Sequence, residues 1–253
     1  SWATIKAVSD AGQGANYWDV GDTKQITING KVGNTNISNL AINVFIIGFN
    51  HNASREGSNR IHFKIGKIGN TQVGLCDSEY GNYTSTSGAF TMNTSNTNSG
   101  GWANSHMRKT VLGSDASPTS PRANTLLAAL PADLRAVMKP ITKYSDNTGG
   151  GNNTASYVTS TTDYLPLLSE FEYHGTRTYA NSAEQNFQQQ YAYYQAGNSK
   201  VHYKHNATGT AAYAWCRSVD ATSTDFFCLV ATNGSASYGA AYGSWAVAAG
   251  FAA

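Results

Sequence analysis

Short strand-like segments separated by tight-turn residues limit the fold of this chain more than any other feature of its sequence. Residues 24–28 alternate polar and apolar side chains and lead into Asn29-Gly30, a residue pair typical of hairpin turns. A longer apolar segment, 40–49, follows, and residues 62–65 alternate again. Because alternation with a period of two places one strand face on a core and the other in solvent, these segments predict antiparallel sheet.

The last 40 residues repeat this pattern most densely. Short strands are predicted at 214–218, 226–231, 235–238 and 245–251. The pair Asn233-Gly234 specifies a turn between two of them. This end of the chain is therefore expected to form an antiparallel meander that ends in the main sheet or at its edge.

Helical spacing occurs in only a few places. Ser1 can cap a first helix that carries Trp2, Ile5 and Val8 on one face. Further helices are expected at 102–112, at 124–138 with a break at Pro131, and as a polar surface helix at 180–197. Two segments rich in Gly, Ser, Thr and Asn predict loops: a long surface loop at 82–101 and a flexible loop at 146–154.

These elements predict an α+β fold: mixed antiparallel sheets with a few short helices and long loops. A chain of 253 residues can be built around one hydrophobic core, and we expect a single domain over residues 1–253. The apolar stripes predict that five side chains are buried: Trp2, Trp102, Leu126, Leu130 and Leu167.

The content of charged residues and of cysteine limits the class of protein to which this chain can belong and the partners that it can have. Only 13% of residues are charged, whereas 15 are Tyr and 5 are Trp, a profile typical of secreted or virion β-rich proteins. With a net charge of +2 and no cluster of like charges, nucleic acid is not expected as a partner, and no apolar segment is long enough for a membrane span. The three cysteines form no C-x-x-C pair, so we expect buried free thiols, with a Cys216–Cys228 disulfide as the alternative.

Five short motifs occur in order along the chain: YWDVGD at 17–22, GWANSHMR at 101–108, LPLLSEFE at 165–172, AWCRS at 214–218 and AVAAGF at 246–251. Together they resemble a domain family of unknown function that is common in gut Firmicutes and their tailed phages. The resemblance implies a fold like that of C-type lectins and formylglycine-generating enzymes, in which the C-terminal strands frame a ligand-binding face. It also implies that residues 231–248 could vary between relatives through retroelement-driven diversification.

This chain departs from the family pattern at two places. Cys216 stands where an aliphatic residue is usual, and the terminal motif lacks its arginine, so no role of that arginine is transferred. The cysteine pattern also gives no support for the chemistry of the formylglycine-generating enzymes.

Catalysis and metal binding find little support in the sequence. None of the six histidines has the spacing of a nucleophile or metalloprotease motif, so we expect surface histidines. Glu170 and Glu172 are better placed as a helix cap and as a structural partner of an arginine than as paired catalytic acids. The loop at 146–152 lacks the spaced acids of a calcium loop, and the chain lacks the Glu-Pro-Asn or Gln-Pro-Asp motif of calcium-dependent lectins. No catalytic residue, cofactor or metal is predicted.

The C-terminal segment 213–253 is instead predicted to be a contact face. Tyrosine and tryptophan among Ser, Gly and Ala resemble the composition of antibody binding surfaces. The candidate ligand-binding residues are Tyr213, Arg217, Tyr238, Tyr242 and Trp245. For Arg217 a buried ion-pair partner is the favoured alternative to a ligand contact, and Trp215 and Trp245 could be core residues.

These observations favour a non-enzymatic domain on the surface of a phage virion, such as a head fibre, a decoration protein or a tail tip. It would bind host or mucosal glycans or proteins, and its partners would include other virion proteins and further copies of itself. Two alternatives remain open: a structural virion domain that seals an oligomeric interface, and an extracellular adhesin module on a bacterial surface.

Overall fold

The computed structural model describes all residues 1–253 and has an α+β fold built from three sheets. The α-helices are α1 Trp2–Asp10, α2 Gly14–Tyr17, α3 Ala53–Glu56, α4 Gly101–Asn104, α5 Leu126–Ala129, α6 Ala132–Arg135, α7 Glu170–His174 and α8 Ala192–Gln195. The strands are β1 Thr23–Val32, β2 Thr35–Phe49, β3 Ile61–Ile68, β4 Thr71–Gly74, β5 Ile141–Asp146, β6 Val158–Asp163, β7 His202–Lys204, β8 Ala207–Ala212, β9 Ala214–Val219, β10 Phe226–Val230, β11 Ala236–Ala240 and β12 Gly250–Ala252. Met107–Leu112 is a π-helical segment, and Ala155–Tyr157 and Ser182–Asn186 are 3₁₀ turns.

The main sheet has seven strands in the order β1-β2-β3-β4-β7-β8, and β12 pairs with β3. All its pairs are antiparallel except β4 with β7. Strands β9, β10 and β11 form a second antiparallel sheet, and β5 with β6 forms a third. The predicted C-terminal hairpin is confirmed, because β10 and β11 flank the Asn233-Gly234 turn.

Two details of the predicted C-terminal meander differ in the structure: the sheet to which its strands belong and the start of the last strand. Strands β9 to β11 lie in their own sheet, and only β12 joins the main sheet. The strand predicted over 245–251 is shorter than expected, because β12 begins only at Gly250. Before it, Ala246, Val247 and Ala249 each bridge a different segment of the chain, so no continuous ladder forms there.

The first hairpin turns later than its sequence predicts. The β1–β2 register shifts between Ile28 and Gly30, where the single residue Asn29 of β1 faces Ser38 and Asn39 of β2. Strand β1 then continues to Val32 before the chain reverses at Gly33-Asn34. Gly33 has a φ of 56°, and a Cβ at this position would collide with the carbonyl of Gly88. The turn therefore needs glycine both for its left-handed backbone and for this close approach.

Alternate residues of the central strands enter two different cores. In β2, Val44 and Ile46 belong to a cluster of 39 buried residues, whereas Phe45 and Ile47 belong to one of 11. In β10, Phe227 and Cys228 are divided between the two clusters in the same way. Both faces of these strands are therefore covered by protein.

The coverage of both faces buries polar residues that alternation assigns to solvent. On β3, Phe63 faces the larger core, and the neighbouring side chains His62 and Lys64 are 0% exposed. The predicted surface helix at 180–197 is wrong for a related reason: Tyr191 and Tyr194 are buried in the smaller core, and the segment contains only a 3₁₀ turn and the one-turn helix α8.

Other predictions of burial and helix position are confirmed. The five residues expected in the core are all buried: Trp2, Trp102, Leu126, Leu130 and Leu167. Ser1 caps α1 through a bond from the Thr4 amide, and Pro131 separates α5 from α6. The segment 82–101 has no strand, but Phe90 and Met92 anchor it in the core, so it is not wholly a surface loop. All three cysteines are buried and unbonded. None of the helices has the length and apolarity needed to cross a membrane.

Candidate functional site

Arg217, a candidate ligand contact, lies inside the protein. It is 0% exposed and donates hydrogen bonds through both terminal nitrogens to the carboxylate of Glu172, with a distance of 2.9 Å from Nη2 to Oε1. Its other donors reach Ser145 Oγ and the carbonyl of Leu167, each at 2.9 Å. The prediction that Arg217 contacts a ligand is therefore wrong, because its side chain is enclosed and bonded within the chain, and the ion-pair alternative is confirmed.

A second ion pair shares the same glutamate. Lys143 Nζ donates to Glu172 Oε1 and to Glu56 Oε2, both at 2.8 Å, and to the Tyr191 hydroxyl at 2.9 Å. We call Glu56, Lys143, Glu172 and Arg217 the ionic cluster. When both carboxylates are ionised, its two negative and two positive charges balance, which is the condition under which buried charges are tolerated.

The local sequence explains how Glu172 reaches this position. Ser169 caps α7 by accepting from the Glu172 amide at 3.0 Å, and the Glu172 carboxylate accepts from the Ser169 amide at 2.9 Å. This capping box fixes the first turn of the helix. The glutamate side chain therefore faces back across the helix start, toward β9 and Arg217.

The pKa values of Glu172, Glu56 and the neighbouring His51 are shifted in different directions. Burial alone would raise the pKa of Glu172, but Arg217 and Lys143 hold it well below its ordinary range. Burial raises the pKa of Glu56 to about 7, because Lys143 offsets only part of the desolvation. Burial likewise lowers the pKa of His51 to about 3. Glu172 is therefore ionised and His51 neutral near pH 7.

Three groups of this region have the spacing of metal ligands. One ligand atom each of His51, Glu56 and Glu172 lies within 4.8 Å of the others. However, the ammonium group of Lys143 already donates to both carboxylates and supplies the positive charge that a metal would bring. The arrangement can hold α3, β5 and α7 together without a metal.

A second polar network is built around Lys64. Its Nζ lies 2.9 Å from the Tyr194 hydroxyl and 2.5 Å from His202 Nε2, and the Tyr194 hydroxyl donates to Gln72 Oε1 at 3.0 Å. No carboxylate faces this amine, and burial lowers the pKa of Lys64 and of His202 well below their ordinary values. The expectation of surface histidines is wrong for His51, His62 and His202, which are buried.

The motif at 101–108 also has an internal role. Asp163 accepts hydrogen bonds from Arg108 Nε at 2.7 Å, from Ser114 Oγ at 2.9 Å and from Trp102 Nε1 at 3.1 Å. Trp102 and Arg108 thus bind the same buried carboxylate. The motifs at 101–108, 165–172 and 214–218 all contribute to buried ion pairs, so they stabilise the fold rather than form an exposed site.

The other acidic candidates are bonded to the backbone. Glu170 accepts from the amides of Thr178, Tyr179 and Ala180 at 2.8 to 3.2 Å, so it ties the segment after α7 to the helix start. Asp146 accepts from the amides of Thr148 and Gly149, which closes the loop that begins there. Both carboxylates therefore hold loops in place.

Three of the candidate ligand residues do come together at the surface, with two tyrosines that the sequence analysis missed. Tyr80, Tyr83, Tyr213, Tyr242 and Trp245 form a continuous set of ring contacts that we call the aromatic face. The ring centroids of Tyr213 and Tyr80 lie 5.4 and 5.7 Å from that of Trp245, and those of Tyr83 and Tyr242 lie 5.5 Å apart. Tyr83 is 63% exposed, and the other four are half-buried.

Backbone pairing holds the aromatic face together. Tyr83 bridges Gly243, and the Thr84 amide donates to the Tyr242 carbonyl at 2.9 Å. The Tyr213 amide donates to the Tyr80 hydroxyl at 2.9 Å. Gly239 and Gly243 leave room for the indole, since a Cβ at either would lie 3.0 Å from Trp245 Nε1. These contacts fix the rings in one arrangement.

A lysine lies beside the aromatic face. Lys204 Nζ lies 4.1 Å from the ring centroid of Tyr80, within the range of a cation–π contact. Asp77 is buried beneath the same region, where it accepts from Ser244 Oγ at 2.6 Å and from the Phe90 amide at 2.5 Å. The Asp77 carboxylate is therefore used internally, and Lys204 places a cation against one ring of the aromatic face.

Tyr238, the remaining candidate, belongs to a different surface. It is 45% exposed, and its ring stacks on Phe226 with centroids 5.0 Å apart and contacts Tyr179 at 4.9 Å. These three rings and the polar residues 220 and 222–224 line an open groove of about 550 Å³. The single face predicted over the C-terminal segment is thus two separate surfaces.

Tyr80 and Tyr83 had one signal in the sequence, since both are aromatic residues at the start of a segment otherwise made of small polar residues. Their partnership with residues 213–245 is not visible in it, because the pairing spans more than 120 positions. In comparisons with known proteins, no family model matches this chain, and neither the curated proteins nor the solved structures contain a match.

Proposed function

We propose that this chain is a non-catalytic binding domain, displayed on the surface of a phage virion, that attaches to host or mucosal surfaces through the aromatic face. The observation that carries the proposal is the assembly of five aromatic side chains, drawn from three distant segments, around an exposed Tyr83. Its neighbours in the virion would be other virion proteins and further copies of the chain.

The exposure of the face supports a contact role. Only three large hydrophobic side chains of the chain are exposed: Tyr17, Tyr83 and Tyr238. Exposed apolar surface is costly in contact with water, and clustered aromatic residues with small neighbours are typical of binding surfaces. Because backbone bonds already fix the rings, little conformational entropy would be lost when a partner docks.

The buried ionic cluster supports a function without catalysis. The acids and bases of the ionic cluster are at most 3% exposed and are bonded to one another, so a substrate could not reach them without unfolding part of the chain. Buried structural ion pairs also shift pKa values, so the shifted pKa values of this enclosed cluster are consistent with a structural role.

A C-type-lectin-like arrangement is part of the same proposal. It is supported by the closing strand β12, which pairs with β3 inside the main sheet, and by the short irregular segments that carry the aromatic face beside it. The low content of charged residues, 13%, supports an extracellular or virion location.

Single and double substitutions of Tyr83 and Tyr242 by Ala test the proposal. Binding of the purified domain to host cells and to an array of host glycans and surface proteins should weaken about 5- to 150-fold for each dominant contact, which corresponds to roughly 1–3 kcal/mol. Thermal melting should change by only a few degrees, because both rings lie at the surface.

Tyr17→Ala is the matched control, since Tyr17 is 67% exposed and lies outside both aromatic surfaces. An equal loss of binding in this control would contradict a specific face. If the Tyr83 and Tyr242 variants instead lose their oligomeric state in light scattering while attachment is unaffected, the face is an assembly interface and the structural-virion alternative is correct.

A further inference from the structure

The groove beside Tyr238 has the chemistry of a small-ligand site and shares no residue with the aromatic face. Its volume of about 550 Å³ lies within the range of roughly 300–1,000 Å³ found for small-molecule sites. Three aromatic rings, those of Tyr179, Phe226 and Tyr238, line it together with the polar residues Asp220 and 222–224. It therefore offers flat apolar surface and hydrogen-bonding groups side by side.

The polar groups of the groove are not all used within the chain. Asp220 is 2% exposed, and its Oδ1 accepts from the amide and the hydroxyl of Thr222 at 2.8 and 2.7 Å. Its Oδ2 makes no hydrogen bond within the chain, and neither do the hydroxyls of Thr224, Tyr179 and Tyr238. A carboxylate oxygen and three hydroxyls are thus free for a ligand.

The loop that carries these groups is held in shape from beneath. The buried side chain of Asn98 donates through Nδ2 to the carbonyls of Ser223 at 2.7 Å and Phe226 at 3.0 Å. The Asn98 amide donates to the Thr224 carbonyl at 2.9 Å, and its Oδ1 accepts from the Gly150 amide at 2.8 Å. This loop is therefore preorganised, which reduces the entropic cost of binding.

We infer that this groove binds a neutral pyranose sugar. The apolar C–H face of a pyranose packs on aromatic rings, and its hydroxyls donate to carboxylates in charge-assisted hydrogen bonds. Asp220 supplies such an acceptor, and no lysine or arginine lines the groove. Acidic sugars would meet a carboxylate without a compensating cation, so they are disfavoured. The site is separate from the aromatic face and does not depend on the function proposed for that face.

A titration followed by NMR tests this inference. The ¹⁵N-labelled chain would be titrated with the methyl glycosides of glucose, galactose, mannose and N-acetylglucosamine, and with sialic acid as the anionic comparator. At least one neutral sugar should produce saturable shifts at the amides of Ser223, Thr224 and Tyr238. Sialic acid at the same concentrations should produce none there.

Two variants make the result specific. Tyr238→Ala should weaken the binding of that sugar about tenfold, and Thr224→Val, which keeps the side-chain shape and removes the free hydroxyl, should weaken it severalfold. Tyr83→Ala is the matched control, and it should leave sugar binding unchanged because Tyr83 lies on the aromatic face. The dispersed amide spectrum of each variant shows whether it has folded.

Three results would overturn the inference: no saturable shift with any neutral sugar, sialic acid binding as tightly as the best neutral sugar, or unchanged affinity in both groove variants. If sugar binding fails while Tyr83→Ala still abolishes host attachment, only the groove assignment is lost. If sugar binding persists and Tyr83→Ala has no effect on attachment, only the proposal for the aromatic face is lost.

Discussion

Replacement of Arg217 by methionine gives the sharpest test of how the ionic cluster works. Methionine keeps much of the apolar volume of the arginine stem but removes its charge and its donors. Glu172 would lose both bonds from the guanidinium, and the cluster would hold two carboxylates against the single cation of Lys143. A buried carboxylate without full compensation is the main cost of this change.

The size of the effect follows from the burial of both partners. Because the side chains of Arg217 and Glu172 are each 0% exposed, solvent cannot screen the broken pair. Removal of one partner of such a pair costs about 3–5 kcal/mol. For a chain of this size that corresponds to a fall in melting temperature of roughly 6–20 °C. Arg217→Lys keeps the charge but lacks the planar, two-pronged geometry, so it should cost less.

Circular dichroism and tryptophan fluorescence during urea and thermal denaturation would measure these losses. The double variant Arg217→Met with Glu172→Leu removes both charges and should recover part of the stability, so that the double-mutant cycle yields a coupling energy of about 2 kcal/mol or more. If Arg217→Met melts within two or so degrees of the parent chain and loses only binding, then Arg217 is a ligand contact and our account of the cluster is refuted.

Three further predictions concern the backbone, the histidines and the thiols. Gly33→Ala should lower the free energy of unfolding by about 1–3 kcal/mol more than Gly69→Ala, because both positions have a left-handed φ but only Gly33 meets another backbone segment. Equal losses of unfolding free energy in urea denaturation would contradict this. Burial lowers the pKa of His51 from 6.5 to about 3, so below pH 6.5 the unfolded chain takes up a proton that the folded chain does not. The stability that neutral His51 contributes is therefore fully present above pH 6.5 and is lost as the pH falls. The unfolding free energy of the parent minus that of His51→Gln should therefore drop by about 2 kcal/mol between pH 7 and pH 5, whereas a constant difference would show that His51 does not titrate in this way. Ellman's reagent should detect no thiol in the native chain and three after unfolding; fast reaction of the native chain would contradict the burial of the cysteines Cys76, Cys216 and Cys228.

The sequence by itself determined the elements whose signals are local. Ser1 caps α1 as predicted, and α7 begins at Glu170, where a helix start was predicted, although Ser169 rather than Glu170 is its cap. The Asn233-Gly234 pair turned the chain between β10 and β11. Capping boxes, turn pairs and apolar stripes depend on residues within a few positions of one another, so they can be read without knowledge of the fold.

Only the tertiary structure decided which faces are covered. Alternation in β3 predicts that His62 and Lys64 face solvent, but residues about 130 positions away, Tyr191 and Tyr194, cover that face and supply hydrogen-bond partners. In the same way, β5 and α7 cover Arg217 on β9 and supply its partners Ser145 and Glu172. A polar side chain can be buried wherever a distant segment satisfies it, and local pattern carries no information on such a partner.

The candidate site, too, was only partly predictable from the sequence. The composition of residues 213–245 predicted aromatic contact surface, and Tyr238, Tyr242 and Tyr213 do reach the outside. The second half of the aromatic face, Tyr80 and Tyr83, comes from a segment more than 120 positions earlier, and Tyr238 stacks on Phe226 instead of joining these rings. Ring contacts between segments so far apart in the chain are fixed by the packing of the sheets, which is why the sequence predicted the kind of surface but not its extent.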